Sequence, residues 1–155
     1  MNHTLSVAAA ATLALFSAVA SAASLTKDPL TGLPLDPTTD SRLHLGNEPT
    51  KIPGTVICGS KMASDQYPIF DEKFDATVAW YAAHLQGFKH THGNAGNRAR
   101  DAFYSADGKT VVFVTGEPEV PGKSANTHGV LYVNFQPALA ESIIVSMNVE
   151  KVVCR

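Results

Sequence analysis

The sequence predicts a single α+β domain in which one long helix packs on an antiparallel β-sheet of about four to six strands. Three observations predict this fold class. The chain has 155 residues, a length typical of one domain. Apolar residues between positions 71 and 87 recur at the helical period. Most later segments instead alternate apolar and polar residues, as half-buried strands do.

The N-terminal segment has the pattern of a secretory signal peptide. Residues 1–22 contain no Asp, Glu, Lys or Arg, and the apolar stretch Leu5–Phe16 leads into the small residues Ala20–Ala22. An apolar stretch before a small-x-small site is typical of exported proteins. It is shorter than the roughly 20 residues that a membrane anchor needs. We expect cleavage after Ala22 or Ala23, a periplasmic or secreted protein, and no membrane span after signal cleavage.

Residues 23–54 are predicted to form a Pro-rich extended leader, and residues 55–155 to form the α+β domain. The leader contains five prolines and three glycines. Because proline fixes φ and lacks a backbone N–H, such a density argues against regular structure. We expect the leader to lie on the domain or to remain mobile. Its leucines Leu30, Leu33 and Leu35 either cover the sheet or contribute to a partner-binding surface.

The helix is the most clearly patterned element of the domain. A strand over residues 55–62 and an extended segment over residues 67–70 precede Asp71, which is expected to cap the helix. One stripe at period 3.6 contains the apolar residues Phe74, Val78, Tyr81, Ala82 and Leu85. Gly87 follows the last apolar residue of the stripe and predicts the end of the helix.

Strand-like segments follow the helix. Strands are predicted over residues 88–92, 101–105, 109–115 and 130–135, with a closing strand over residues 143–153. Asp107 and Gly108 predict a hairpin turn between two of them, because this pair accepts the positive φ that tight turns need. A further break is expected at residues 117–122. In the segment 130–135, Tyr132 and Asn134 are expected on an exposed face that would be open to a partner.

The two cysteines, Cys58 and Cys154, are predicted to form one disulfide, because two cysteines in an oxidising compartment most simply pair. This disulfide would close a loop of about 100 residues and, in the chain-entropy model, stabilise the folded state by about 4–5 kcal/mol. A reactive thiol and a metal thiolate are the alternatives. Neither has a CxxC motif or a His close to a Cys in sequence to support it.

The charge balance argues against nucleic-acid binding. The chain has 12 Lys and Arg against 14 Asp and Glu, a formal net charge of −2. Domains that bind nucleic acid by neutralising phosphates are usually strongly basic. The sequence also lacks the GxSxG pattern that positions a nucleophilic serine. No catalytic residue and no cofactor are therefore assigned in the favoured interpretation.

Four histidines are the candidate metal ligands, namely His84, His90, His92 and His128. On a strand, His90 and His92 would point both imidazoles to the same face. This spacing suits Zn²⁺ or another divalent transition metal if further ligands approach, and His84 or His128 are the candidates for that role. The alternative is that His90 and His92 are solvated residues beside the Gly- and Asn-rich loop 92–97.

Two resemblances bear on the fold and the compartment. The run AWYAAHL at residues 79–85, followed by GFK, resembles the WYxxxL helix of small exported bacterial proteins of unknown function, in which a β-meander follows. The runs FYSADGKTVVFVTG and VLYVNFQP are similar too. This resemblance implies a fold and a compartment over about residues 50–150, and no activity.

The second resemblance concerns the segment TVAWYAAHLQGF, which is similar to a helix of the glyoxalase and dihydroxybiphenyl-dioxygenase superfamily. In that superfamily, paired βαβββ modules hold a divalent metal. The resemblance implies a single half-module here, with His128 on a strand that resembles a ligand-bearing one.

The sequence thus predicts an exported, non-enzymatic binding or accessory domain whose partner is a small molecule or a protein. The alternative is a metal-binding protein or metalloenzyme that uses the histidine cluster. The chemistry of the ligand is left open by the sequence.

Overall fold

The computed structural model describes residues 24–43, 45–47, 55–70, 73–96, 98–116, 128–149 and 151–154. Within them the protein is an α+β domain built on one antiparallel β-sheet. The predicted signal peptide, the predicted cap Asp71 and the predicted break at residues 117–122 lie outside the described residues.

The sheet contains seven strands in the described part of the chain. They are β1 (Leu45–Asn47), β2 (Val56–Ile57), β3 (Ser60–Ile69), β4 (Lys89–Ala95), β5 (Arg98–Tyr104), β6 (Thr110–Gly116) and β7 (His128–Gln136). Six of them follow one another in the order β1-β3-β7-β6-β5-β4, and β2 pairs with β3 as a short additional arm. The hairpin predicted at Asp107 and Gly108 joins β5 to β6. The antiparallel α+β class is therefore confirmed.

Two short helices are present instead of one long helix. Helix α1 spans the 11 residues Phe74–His84, and helix α2 spans the 8 residues Glu141–Asn148. Helix α1 lies within the predicted segment and is followed by Gly87, which has a φ of +82°. Its buried face includes Thr77 and not Ala82, which is exposed. Among the described residues, no helix combines the length and apolarity needed to cross a membrane.

The closing strand predicted over residues 143–153 is wrong. Its first part belongs to α2, and residues 151–154 form no strand. The apolar residues that suggested a strand include Ile143 and Ile144, which α2 buries against the sheet. A short apolar run has no periodicity that separates a strand from a helix turn, so packing decides between them.

Both faces of the sheet are covered, and alternate residues of the central strands serve two separate cores. On one face, Val130 and Tyr132 of β7 pack with Tyr81 of α1. On the other face, Val133 and Phe135 pack with the residues of α2. Tyr132 is 0% exposed, so the prediction that it lies on an open, partner-accessible face is wrong. That face is occupied because α1 and the segment before β1 lie across it.

The segment 24–43 packs on the same face of the sheet as α1. Leu35 is 4% exposed within this core, and Leu33 packs against it. Thr39 forms a β-bridge with Ile69 of β3, and the adjacent residues 41–43 form a 3₁₀ turn. The segment contains isolated bridges and turns, as its prolines predict. The segment 24–43 packs on the sheet and contributes Leu35 to the core.

The predicted disulfide between Cys58 and Cys154 is present, with a Cα–Cα distance of 5.1 Å. It joins the tail after α2 to the two-residue turn between β2 and β3. Both turn residues have positive φ, +49° at Cys58 and +82° at Gly59. Turns of this kind match the twist of a β-hairpin. An oxidised cysteine pair is consistent with an extracellular location.

Candidate functional site

His90 and His92 lie on β4 and share the carboxylate of Asp101 on β5. His90 Nε2 lies 2.6 Å from Asp101 Oδ1, and His92 Nδ1 lies 3.0 Å from Asp101 Oδ2. The register places His92 opposite Asp101 and His90 opposite Phe103. Because side chains alternate along a strand, all four residues project from the same face. The structure thus supplies the carboxylate partner that the sequence spacing did not reveal.

The three side chains of this His–Asp–His cluster differ in exposure. The Asp101 side chain is 4% exposed, whereas those of His90 and His92 are 41% and 67% exposed. The His90 ring also stacks on Phe103, with ring centroids 4.4 Å apart. A buried carboxylate is costly unless its oxygens are hydrogen-bonded. The two histidines provide one bond to each oxygen, so the cluster satisfies Asp101.

The other two candidate histidines lie elsewhere. The His84 ring stacks on Trp80 of α1, and its Nδ1 lies 2.7 Å from the Trp80 carbonyl oxygen. His128 is buried under α1, with Nε2 2.8 Å from Thr77 Oγ1. In the part of the chain that the structure describes, no three His, Cys, Asp or Glu side chains are arranged to hold a metal ion.

A groove of about 620 Å³ opens between the segment 24–43 and the ends of β3, β6 and β7. Its apolar lining residues are Leu30, Ala63, Phe135, Pro137 and Ala138. Its polar lining residues are Lys61, Lys109, Thr110, Asn134 and Gln136. Small-molecule sites commonly have volumes of about 300–1,000 Å³, apolar walls and a few placed polar groups. The sequence pattern did not predict this groove, because its lining comes from distant segments.

The base of the groove is held by hydrogen bonds between side chains and the leader. Thr110 Oγ1 donates to Asn134 Oδ1 at 2.8 Å, and Asn134 Nδ2 donates to the Leu30 carbonyl oxygen at 3.2 Å. These bonds tie the leader to β6 and β7 at the groove wall. The Thr110–Asn134–Leu30 hydrogen bonds therefore position the leader wall of the groove relative to β6 and β7.

Asp28 anchors the turn that carries Leu30. Asp28 is fully buried and accepts hydrogen bonds from the Tyr67 hydroxyl at 2.9 Å and from the Thr31 backbone N–H at 2.7 Å. Burial raises the pKa of Asp28, and a hydrogen bond with the Asp65 carboxyl raises it further, against the lowering effect of Thr31. A carboxyl that bonds to another carboxyl needs a shared proton.

A second buried chain of hydrogen bonds links the leader to α1 and β7. The Tyr132 hydroxyl donates to the Pro34 carbonyl oxygen at 2.7 Å and lies 2.6 Å from the Tyr81 hydroxyl. Because Tyr132 has given its only proton to Pro34, Tyr81 donates to Tyr132. The Asp36 N–H in turn donates to Tyr81 at 3.3 Å. Burial raises the pKa of Tyr81 to about 12, so the chain stays neutral at ordinary pH.

Comparison with known proteins gives no match, whether to protein-family models, to curated proteins or to solved structures. The two resemblances drawn from the sequence therefore stay predictions. Function is inferred from the geometry of the chain.

Proposed function

We propose that this protein is an exported binding domain that holds a small amphipathic molecule in the groove beside Leu30. The observation that carries the proposal is the groove, whose volume is about 620 Å³ and whose lining mixes five apolar residues with five polar ones. This volume lies within the range of small-molecule sites, and apolar residues beside hydrogen-bonding groups are the kinds of lining that such sites combine. The groove is also anchored, because Asn134 donates to the Leu30 carbonyl oxygen and Asp28 accepts from the Tyr67 hydroxyl, which holds the leader wall against the sheet.

Binding is favoured over catalysis by the chemistry of the lining. Among the described residues that line the groove, none is a His, Cys, Ser, Asp or Glu. These side chains most often carry nucleophilic or general acid–base chemistry. The lining offers hydrogen-bond donors and apolar surface, which recognise and retain a molecule.

Export is part of the proposal and is supported by two observations. The first 22 residues have the charge-free, alanine-rich pattern of a signal peptide. The Cys58–Cys154 disulfide requires an environment that keeps cysteines oxidised. Expression of the full chain in a bacterial host tests this step. We expect the product outside the cytoplasm to begin at Ala23 or Ser24, and a full-length cytoplasmic product would contradict export.

The binding proposal is tested with decanoate, a probe that has an apolar body and a polar head. We expect saturable one-to-one binding by isothermal titration calorimetry, with chemical-shift changes confined to the groove. Ala63→Trp fills the groove and should weaken binding at least about tenfold, or about 1.4 kcal/mol. Ala138→Trp, at the exposed rim, is a second filling variant should Ala63→Trp unfold.

Ala83→Trp is the matched control, because Ala83 is exposed on α1 and does not line the groove. This variant should bind decanoate as the unmodified protein does. The proposal would be overturned by a lack of saturable binding, or by equal binding in the groove-filling variants and the control.

A further inference from the structure

We infer that the groove selects molecules with an oxyanion head group, such as a carboxylate or a phosphate, attached to an apolar body. This inference rests on the proposed binding function and adds the chemistry of the ligand. Three observations support it: the charge of the lining residues, the positions of the two lysines, and the hydrogen-bond donors of the lining.

The rim of the groove carries the positive charge of two lysines. Lys61 is exposed, and none of the ion pairs among the described residues involves it. Lys109 Nζ lies 3.5 Å from Asp107 Oδ2, but these two side chains are 66% and 57% exposed. Exposed pairs of this kind contribute little and are readily exchanged. No carboxylate among the described residues lines the groove, so its charged lining is entirely positive.

The two lysines lie on either side of β7 at its end. Lys61 pairs with Gln136 across β3 and β7, and the Lys109 carbonyl oxygen accepts the Phe135 N–H from the other side of β7. Neighbouring strands lie about 4.8 Å apart, so the two lysine backbones flank β7 at a separation of about 10 Å. Both lysines line the groove at the end of β7. Two ammonium groups in the lining favour an oxyanion head group over a neutral polar one.

Donors outnumber the fully free acceptors in the polar lining. The Asn134 carbonyl oxygen accepts one hydrogen bond from Thr110, and the Asn134 amide nitrogen donates one of its two N–H groups to Leu30. Lys61 and Lys109 are donors only, whereas Thr110, Asn134 and Gln136 have both donor and acceptor atoms. A head group made of acceptors alone, as an oxyanion is, matches the donors of the two lysines.

The apolar part of the ligand would lie along the wall made by Leu30, Ala63 and Pro137. These three residues and the two lysines line the same groove. A molecule with one charged end and one apolar end therefore matches the groove along its length, because apolar contacts and charge are supplied side by side.

Four decyl compounds test the inference on the oxidised protein: decanoate, decyl phosphate, decanol and decyltrimethylammonium. We expect decanoate and decyl phosphate each to bind at least about tenfold more tightly than decanol, and decyltrimethylammonium to bind most weakly. Comparison of the two anions identifies which head group is preferred. Added salt should weaken anion binding and leave decanol binding nearly unchanged.

Lys61→Met and Lys109→Met remove the charges and keep the apolar stems. The double variant should bind decanoate no more tightly than decanol, whereas Lys151→Met, an exposed lysine outside the groove, should behave as the unmodified protein. Equal affinity of the unmodified protein for decanol and both anions would overturn this inference and leave the proposed function standing. Absence of binding by all four compounds would overturn both.

Discussion

The Tyr67 hydroxyl donates a buried hydrogen bond to Asp28 across 39 residues of sequence, at a distance of 2.9 Å. Both residues are 0% exposed. The bond joins the leader to β3, next to the Asp65 carboxyl on the same strand as Tyr67. The placement of the leader, and with it the groove wall, therefore depends on a pair of buried carboxyl groups.

Stability should fall as pH rises above the ordinary carboxyl range. The pKa of Asp28 is raised above 3.8 by burial and by Asp65, so the folded state binds more protons than the unfolded state in that window. The contribution is fully present below pH 3.8 and is lost as pH rises through the folded-state pKa. Asp28→Asn keeps hydrogen-bonding groups and removes the titration. It should flatten the fall in unfolding free energy, measured by urea denaturation across the pH range.

Asp40→Asn is the control for this pH series. Its hydrogen bond with Arg42 lowers the pKa of Asp40, so this group titrates below pH 3.8 and outside the window. From about one pH unit above the ordinary carboxyl pKa upward, the slope should be the same in Asp40→Asn as in the unmodified protein. An unchanged slope in Asp28→Asn would show that the carboxyl pair does not set the pH dependence.

Tyr132→Phe should destabilise the protein by about 1–3 kcal/mol, because it leaves the half-buried Pro34 carbonyl oxygen without this donor and the buried Tyr81 hydroxyl without its acceptor. Tyr104→Phe is the matched control. The Tyr104 hydroxyl donates to Glu141, whose side chain is 53% exposed and can bond to water instead. Urea denaturation should therefore give a clearly smaller loss for Tyr104→Phe. Equal losses would mean that the buried tyrosine chain contributes no more than a surface bond.

Removal of the disulfide should lower the free energy of unfolding by up to about 4–5 kcal/mol, the chain-entropy value for a loop of this length. The replacement at Cys58 should matter, because its φ of +49° lies in the left-handed region. Asn tolerates that region better than Ala does, by roughly 1 kcal/mol. In a Cys154→Ser background, Cys58→Asn should therefore unfold at higher urea concentration than Cys58→Ala. The opposite order would contradict the importance of this turn conformation.

Excess Zn²⁺ should leave the melting temperature unchanged. Asp101 engages one ring nitrogen of His90 and one of His92, and the described residues contain no three side chains arranged for a metal. A ligand that binds the native state must raise its melting temperature by mass action. A saturable rise that disappears in both His90→Ala and His92→Ala would support the metal-binding alternative instead. Protein without a His-tag is needed for the measurement.

Much of the local structure was predictable, and the register between distant strand residues was not. The hairpin at Asp107 and Gly108 depends on the backbone preference of two adjacent residues. Asp101, in contrast, becomes the partner of His92 only when β4 and β5 pair with Ala95 opposite Arg98. The sequence indicates a Gly- and Asn-rich loop over residues 92–97 but not this register. A shift of one residue would turn the carboxylate to the other face.

The sequence by itself determined the α+β class, the position of α1, the turn chemistry of the β5–β6 hairpin and the pairing of Cys58 with Cys154. These features follow from periodicity, from local backbone preferences and from there being two cysteines. Only the tertiary structure decided that Ile143 and Ile144 lie in a helix, that Tyr132 is buried, and that Leu30 and Lys61 line one groove. Packing and strand register join residues far apart in the chain, and no local pattern encodes which of them will meet.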